Sequence, residues 1–214
     1  ARLCQFLPRA LGLAPVPPGL AALGALLPDD LPGLPRWMRS PGMAPQLAQA
    51  VHSRFAPGEA ATTALPPVGH GAAALLPGAC ENSPAGRQAA HPLLQDGEKA
   101  RGRGPLWRLL GLLLDVAALE AGKLPPTSRS ANGTATVPAS RGLYALRLQH
   151  AGGIVTGITR RTPTDHILAP GGALLQALAC LPATKAALAP VVLALHDPCI
   201  PVQLHLPQTE TARA

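Results

Sequence analysis

The stretch "RGLYALRLQHAGGIVTGITRRTPT", residues 141–164, decides the fold class of this chain. The apolar or β-branched side chains that recur at every second position are Tyr144, Leu146, Leu148, Ile154, Thr156 and Ile158. Gly152 and Gly153 separate the two alternating runs. Alternation is typical of half-buried strands, and a Gly-Gly pair suits a tight turn between them. The stretch therefore predicts a β-hairpin.

Helical periodicity dominates the rest of the chain. Leu47, Val51 and Phe55 recur every fourth residue, which places them on one helix face. Pro105 suits the first turn of the most apolar helix and Gly122 suits its C-terminal cap. Pro190 is expected to kink or restart the last helix. The predicted helices are 2–13 (a short helix or a loop), 19–27, 44–56, 104–122, 171–181 and 183–196.

The remaining segments complete the predicted architecture. Residues 57–104 are rich in Gly, Pro and small side chains without a sustained period, so we expect a poorly ordered segment there. Residues 125–140 are interpreted as a second linker. The alternating "PVQLHL" of 201–206 predicts a short strand. Together these features predict a single α+β domain over 1–214, mainly α-helical, with a β-hairpin and a short C-terminal strand.

Composition narrows the possible partners. The chain has 214 residues, a net charge of +7, and only two Trp, one Tyr and two Phe. A basic balance favours anionic partners, but the densest basic run, Lys99, Arg101 and Arg103, lies in a Gly-broken stretch without the aromatic side chains on which bases stack. The sequence therefore predicts no nucleic-acid partner. Prolines and charges interrupt every long apolar stretch, so no membrane-spanning helix is expected.

The cysteines give the first chemical indication. The four of them are far apart and form no C-x-x-C pair, which favours a reducing cytoplasm over secretion. Cys80 and Cys180 are interpreted as buried residues that only fill space in the core. Cys199 differs because it lies in "ALHDPCIPVQLH", residues 194–205, directly after Asp-Pro and six residues before a His. This looks like a metal-site fragment in which Val202 stands where a second thiolate would be expected.

From Ser140 to His205 the order of motifs is specific: Arg-Gly, hairpin, Pro-Thr, "GGALL", Asp-Pro-Cys and His. This order resembles the C-terminal part of the large subunit of nickel–iron hydrogenases. The N-terminal "RLCQFLPRA" is similar to that family's Arg-x-Cys-x-x-Cys-Pro-x-Ala segment, with Leu7 at the second Cys position. The resemblance implies a large-subunit-like fold and covers the last third of the chain firmly.

The resemblance also implies a metal chemistry. In the family, the first Cys of each pair binds nickel terminally and the second bridges nickel and iron. Cys4 and Cys199 match the first positions, whereas Leu7 and Val202 replace the bridging ones. Two soft ligands can hold one iron that carries cyanide and carbonyl ligands, but not a stable dinuclear centre. The expected cargo is therefore iron with cyanide and carbonyl ligands, bound transiently, rather than nickel.

Halved cysteine pairs are typical of the HupK/HoxV-type proteins, degenerate relatives of the large subunit that serve hydrogenase maturation. That resemblance implies a non-catalytic scaffold on which the iron–cyanide–carbonyl unit is built or handed over. Its implied partners are a small hydrogenase chaperone, the cyanide- and carbonyl-delivering proteins and the hydrogenase large subunit itself. Two alternatives stay open: a true hydrogenase large subunit, which is an enzyme, and a vestigial, metal-free interaction module.

Three further positions follow from the same resemblance. Arg141 matches the Arg that reaches over the metal toward the cyanide ligands, where a guanidinium can donate hydrogen bonds. Asp197 matches the Asp that orders the surroundings of the C-terminal cysteines. His205 matches the His after which the family's C-terminus is trimmed. Asp165 and His166 depart from the family's Pro-Thr-x-Trp-Asn pattern.

Overall fold

A computed structural model describes residues 2–13, 27–123 and 125–205, with residues 2–5 described by their backbone alone. The α-helices are α1 (Arg2–Ala10), α2 (Leu34–Trp37), α3 (Met43–Arg54), α4 (Pro84–Arg87), α5 (Pro92–Arg101), α6 (Pro105–Glu120), α7 (Pro163–Ile167), α8 (Ala173–Ala179) and α9 (Ala189–His196). The strands are β1 (Ser128–Arg129), β2 (Thr134–Ala139), β3 (Gly142–Ala151) and β4 (Ile154–Arg161), and 3₁₀ helices cover Gly71–Leu75 and Ala183–Leu188. This mixture of helices and one sheet is α+β, as predicted.

The predicted hairpin is confirmed as β3 and β4. Gly152 and Gly153 form its turn with φ of 56° and 79°, values that glycine adopts without steric cost. Leu148 lies opposite Ile158 across the two strands. The strands form an antiparallel sheet in the order β1-β2-β3-β4.

Two strands lie where the sequence predicted a linker, so the interpretation of 125–140 was wrong. β1 and β2 are joined at Asn132-Gly133, where the Asn132 side chain accepts a hydrogen bond from the Thr134 N–H. Thr134 and Thr136 are buried, and they alternate with more exposed residues. β-branched threonines on one face suit a half-buried strand, but Pro138 obscured that signal.

The helical core is built around α6. Leu109 and Leu110 of α6 are buried together with side chains of α3, α5, α8 and α9. Gly111 allows α4 to approach α6 closely, because a Cβ at this position would lie 2.5 Å from the Cα of Ala85. The predicted α3 and α6 are confirmed, and Pro190 occupies the first turn of α9 as expected. The predicted helix 19–27 lies outside the described residues, apart from Leu27.

Residues 57–104 carry more structure than their composition indicated. They contain the Gly71–Leu75 3₁₀ helix, α4 and α5, with Pro84 and Pro92 in first turns. Proline is favoured there because its missing N–H needs no partner. Leu93 and Leu94 of α5 are fully buried in the core. These short helices show no sustained periodicity in the sequence, because each spans only one to three turns. A single domain over 1–214 stays a prediction.

The predicted C-terminal strand is wrong for the residues described, because 201–205 form no strand. Alternating side chains make a strand only where a neighbour supplies hydrogen bonds, and the four strands pair with one another. Pro201 and Val202 instead line a cleft beside Phe6 of α1. Within the described ranges, no helix combines the length and the apolar character needed to cross a membrane.

Candidate metal centre at Cys199

A sharp turn after α9 presents Cys199 at the surface. Asp197 ends the helix with φ 42° and ψ 58°, a left-handed conformation that Asp tolerates better than most residues. Its N–H donates to the carbonyl of Leu193 at 3.0 Å. The next residue, Pro198, is buried, and Cys199 is exposed. The left-handed Asp197 therefore redirects the chain after α9, and Cys199 is left exposed to a ligand.

The hydroxyl of Thr164 holds this cysteine at two atoms. It accepts a hydrogen bond from the Cys199 N–H at 2.9 Å, and it donates to the Cys199 Sγ at 3.0 Å. Thr164 is buried in α7. A capping box between Thr162 and Asp165 fixes the start of that helix. The Pro-Thr segment thus positions the sulfur, a contact between residues 35 positions apart that the sequence did not reveal.

Arg141 lies in the tight turn between β2 and β3 and contacts the same C-terminal turn. Its Nε donates to the Asp197 carbonyl oxygen at 2.7 Å and lies 2.8 Å from Asp197 Oδ2. Its side chain is 33% exposed. Among the residues described, none accepts a hydrogen bond from its two terminal nitrogens. The structure therefore brings together Arg141, Asp197 and Cys199, three of the residues selected from the sequence.

Asn82 connects the Arg141 turn to α7, a role that its local sequence does not indicate. Its side chain accepts from the Leu143 N–H at 2.6 Å and donates to the Leu143 carbonyl at 2.9 Å. Its Nδ2 also lies 3.0 Å from His166 Nδ1. A Cβ on Gly142 would come within 2.3 Å of the Asn82 Oδ1. Only glycine therefore permits this close approach beside Arg141.

His166 is neutral in this arrangement. An amide nitrogen can only donate, so Nδ1 accepts from Asn82 and the ring proton sits on Nε2. Burial is the main cause that lowers the pKa of His166, opposed by a hydrogen bond to the Leu76 backbone and by the Asp165 charge. His166 therefore acts as a structural acceptor that ties α7 to the hairpin.

The N-terminal helix borders the same site. α1 packs against α9, and Phe6 shares an apolar cleft of about 360 Å³ with the Asp197–Val202 segment. The other lining residues are Leu193, Ala194, Asp197, Pro198, Ile200, Pro201 and Val202. The backbone of Cys4 belongs to α1, but its side chain lies outside the described residues. The meeting of Cys4 with Cys199 stays a prediction.

The two positions that lack bridging cysteines differ from each other. Leu7 is fully buried and belongs to the helical core. Val202 is partly exposed and lines the cleft. His205 is exposed. Within the described side chains, no group of three or more His, Cys, Asp or Glu could hold a metal ion.

The other two cysteines, Cys80 and Cys180, differ from Cys199 in their surroundings. Burial, and then the Glu81 charge, raise the pKa of Cys80 to about 11, which makes it a poor thiolate. Cys180 follows α8 and is exposed, so the interpretation of Cys180 as a buried residue that only fills space in the core is wrong.

Comparison with known proteins defines the class of this chain. It is 45% identical over 216 residues to the hydrogenase expression/formation protein HupK of Rhodobacter capsulatus, an alignment that covers 95% of this chain and 70% of that protein. No family model matches the sequence, and no solved structure matches the fold. The chain belongs to the HupK family of hydrogenase expression/formation proteins.

Proposed function

We propose that the chain is a maturation scaffold for the active site of a nickel–iron hydrogenase. It holds the iron–cyanide–carbonyl unit through Cys4 and Cys199 and then passes it on. The proposal includes a fold related to the hydrogenase large subunit. It also includes a cytoplasmic location, a small hydrogenase chaperone, the cyanide- and carbonyl-delivering proteins and the large subunit as partners, and no catalysis by the chain itself.

One observation carries the proposal: α1, whose backbone includes Cys4, packs against α9, which leads into Cys199. The two cysteine-bearing segments come from opposite ends of the sequence, and they border one apolar cleft. Soft thiolate ligands suit iron that carries strong diatomic ligands. An apolar cleft suits carbonyl, which is a weak hydrogen-bond acceptor.

The surrounding residues support binding of a cyanide-bearing unit. Within the part of the chain that is described, the two terminal nitrogens of Arg141 have no hydrogen-bond acceptor, so they can donate to a cyanide nitrogen. The positive guanidinium also balances the negative charge of the cyanide. Asp197 fixes the direction of that guanidinium through Nε. Thr164 donates to the Cys199 sulfur, a hydrogen bond that withdraws charge from a thiolate and so weakens its bond to metal. Weak retention is what a scaffold that releases its cargo requires.

The test is anaerobic co-expression of the full chain with the accessory proteins that make and deliver the cyanide and carbonyl ligands. We expect bound iron and infrared bands from cyanide and carbonyl in the purified protein. The bands should be lost in the Cys4→Ser and Cys199→Ser variants and kept in Cys180→Ser, whose thiol is also exposed. Iron-free protein under these conditions would favour the metal-free interaction module and contradict the scaffold.

The alternative of a hydrogenase large subunit is tested with the same preparations. A dinuclear centre needs bridging thiolates, and Leu7 and Val202 supply none. We therefore expect no hydrogen uptake with any electron acceptor, even after nickel is added. Turnover that depends on Cys199 would show that the chain is an enzyme.

A further inference from the structure

One face of the sheet carries solvent-exposed apolar side chains. Ala145 of β3 points toward the helical side, where it is buried with Ala74 and Leu75. Arg161, opposite Ala145, points the same way, since its Nε donates to the Leu75 carbonyl at 3.2 Å. Side chains alternate along a strand, so Leu148 of β3 lies on the other face. We call this other face the open face.

The open face is continuous across three strands. Leu148 and Ile158 are direct cross-strand partners and are 47% and 65% exposed. Beyond a register shift in the hairpin, Val155 lies opposite His150 on the same face and is 52% exposed. Val137 of β2 lies opposite Tyr144 of β3 and extends the apolar surface. Contiguous exposed apolar surface of this kind typically marks an interaction site.

β4 is also an open edge. In the described part of the chain this strand of eight residues pairs with β3 alone. Proteins usually protect an edge with Pro, Lys, an inward-pointing charge or a β-bulge. The apolar part of β4, residues 154–159, has no Pro and no charge, and its one register shift against β3 lies near the turn, opposite Gln149 and His150. The rest of β4 pairs with β3 in regular register, so its outer backbone groups can accept a further strand.

The charge of the sheet restricts what can bind. Residues 125–162, which include all four strands, contain five Arg and no Asp or Glu. Arg160 is exposed and lies opposite Leu146, on the open face at the end of the apolar row. Charge complementarity across interfaces selects partners of opposite sign. The surface therefore favours an anionic partner with an apolar centre.

We propose that the open face and the β4 edge bind an extended segment of a partner protein in which carboxylates alternate with aliphatic side chains. The segment adds to β4 as a fifth strand, places its aliphatic side chains on Leu148 and Ile158, and pairs a carboxylate with Arg160. Strand addition of this kind takes its affinity from backbone hydrogen bonds and its specificity from alternate side chains.

Other occupants fit these observations less well. A second copy of the chain brings further arginines and no carboxylate from its own sheet, so Arg160 stays uncompensated. A lipid surface offers no backbone groups for the β4 edge. Nucleic acid needs aromatic faces for stacking, and Tyr144 is the single aromatic residue in the four strands.

The test uses the full chain and two synthetic peptides. One alternates Glu with Val and Ile, and the other has Lys in place of each Glu. Binding is followed by amide NMR and by hydrogen exchange along β4. We expect the acidic peptide to slow exchange at residues 154–161 and to bind about tenfold or more tightly than the basic peptide.

Variants locate the site. Ile158→Thr keeps a β-branched residue in the strand, and Arg160→Glu reverses the charge. Each should weaken the acidic peptide about tenfold, with an unchanged circular dichroism spectrum. Leu119→Thr is the matched control, since Leu119 is 58% exposed but belongs to α6 and to none of the four strands. This variant should bind like the parent.

Four results would overturn the proposal. The two peptides could bind alike, or Leu119→Thr could weaken binding as much as Ile158→Thr. Sedimentation could reveal a dimer that Ile158→Thr dissociates, which would assign the surface to a second copy. The chain could also bind neither peptide but bind anionic vesicles or a single-stranded oligonucleotide through Arg160.

Discussion

The Thr164 hydroxyl oxygen lies 2.9 Å from the backbone nitrogen of Cys199 and 3.0 Å from its sulfur. A hydroxyl can accept and donate at the same time, so one side chain fixes both the loop and the thiol. Because α7 is tied to the hairpin through Asn82 and His166, this contact sets the position of Cys199 relative to Arg141. The candidate site is thus built by three segments that are distant in sequence.

Thr164 is expected to contribute to stability as well as to cargo binding. Thr164→Val leaves the Cys199 N–H without its acceptor and should lower the free energy of unfolding by about 1–3 kcal/mol. Thr164→Ser keeps the hydroxyl and loses one methyl group, a cost of about 0.8 kcal/mol. Urea denaturation measures both. Equal losses in the two variants would show that the hydroxyl has no special role. Because the hydroxyl withdraws charge from the Cys199 sulfur, Thr164→Val should also retain iron longer than Thr164→Ser.

Arg141 is expected to matter more for cargo than for folding. Its pair with Asp197 is about one-third exposed, so solvent screening limits the stability lost in Arg141→Lys to about 1 kcal/mol or less. Lys keeps the charge but loses the planar fork, so the cyanide infrared bands should weaken and shift. Arg129→Lys, on the exposed strand β1, is the control and should leave the bands unchanged. Unaltered bands in Arg141→Lys would remove this residue from the site.

Local patterns predicted the elements whose signal lies within one segment. The β3–β4 hairpin, α3 and α6 were predicted because alternation, a four-residue repeat and terminal Pro or Gly are visible over a dozen residues. β2 was missed because Pro138 and the Asn-Gly turn suggested a linker, although Thr134 and Thr136 already alternate. The strand expected at 201–206 failed for the opposite reason, because its alternation has no neighbouring strand to pair with.

The candidate site was only half predictable for a related reason. Arg141, Asp197 and Cys199 could be selected because short motifs resemble those of a known family. Asn82 could not, since a lone Asn among Gly and Pro residues acquires its role from Leu143, which is 61 positions away. The hydrogen bonds of Thr164 likewise depend on tertiary packing. Such partners carry no local periodicity.

A buried ion pair near the site provides a third prediction. Arg108 of α6 and Glu81 are each 3% exposed, with a nitrogen–oxygen distance of 3.3 Å. Glu81→Gln leaves the Arg108 charge buried and unpaired and should cost about 3–5 kcal/mol of unfolding free energy. Adding Arg108→Met removes that charge, so the double variant should be more stable than Glu81→Gln alone.

The exposed pair Lys99–Asp96 is the control for this experiment. Asp96→Asn should change the unfolding free energy by less than about 0.5 kcal/mol. Thermal and urea unfolding of the four proteins measures the series. A double variant that is less stable than Glu81→Gln would contradict the argument that the unpaired charge dominates the cost.

Two histidines with lowered pKa values, His166 and His196, make stability depend on pH. Burial is the main cause that lowers the pKa of His166 and of His196 below the ordinary value of 6.5, and the Arg108 charge lowers that of His196 further. Both rings therefore bind protons less readily in the folded chain than in the unfolded chain. The unfolded state therefore binds more protons between the lowered pKa values and 6.5, and stability falls as pH falls through that window.

Urea denaturation between pH 8 and pH 5 measures this effect. We expect a nearly constant unfolding free energy above about pH 7 and a progressive loss below it. His196→Gln removes one titrating ring and should flatten the slope. His205→Asn changes an exposed residue and should leave the slope as it is. A slope that is unaltered in His196→Gln would show that this ring does not contribute.

Substitution should lower stability strongly at Leu7 and very little at Val202, the two positions without bridging thiolates. Leu7 is fully buried in the core, so Leu7→Ala should cost about 2–5 kcal/mol of unfolding free energy. Val202 lines the open cleft three residues after Cys199, and Val202→Cys should change stability by less than about 0.5 kcal/mol.

Val202→Cys also creates a Cys-x-x-Cys pair with Cys199, and a further thiolate should slow the loss of iron. Iron retention after dialysis of the co-expressed protein measures this, with Val202→Ser as the control that adds no thiolate. If Val202→Cys released iron as fast as the parent, the missing sulfur would not explain a transient hold on the cargo.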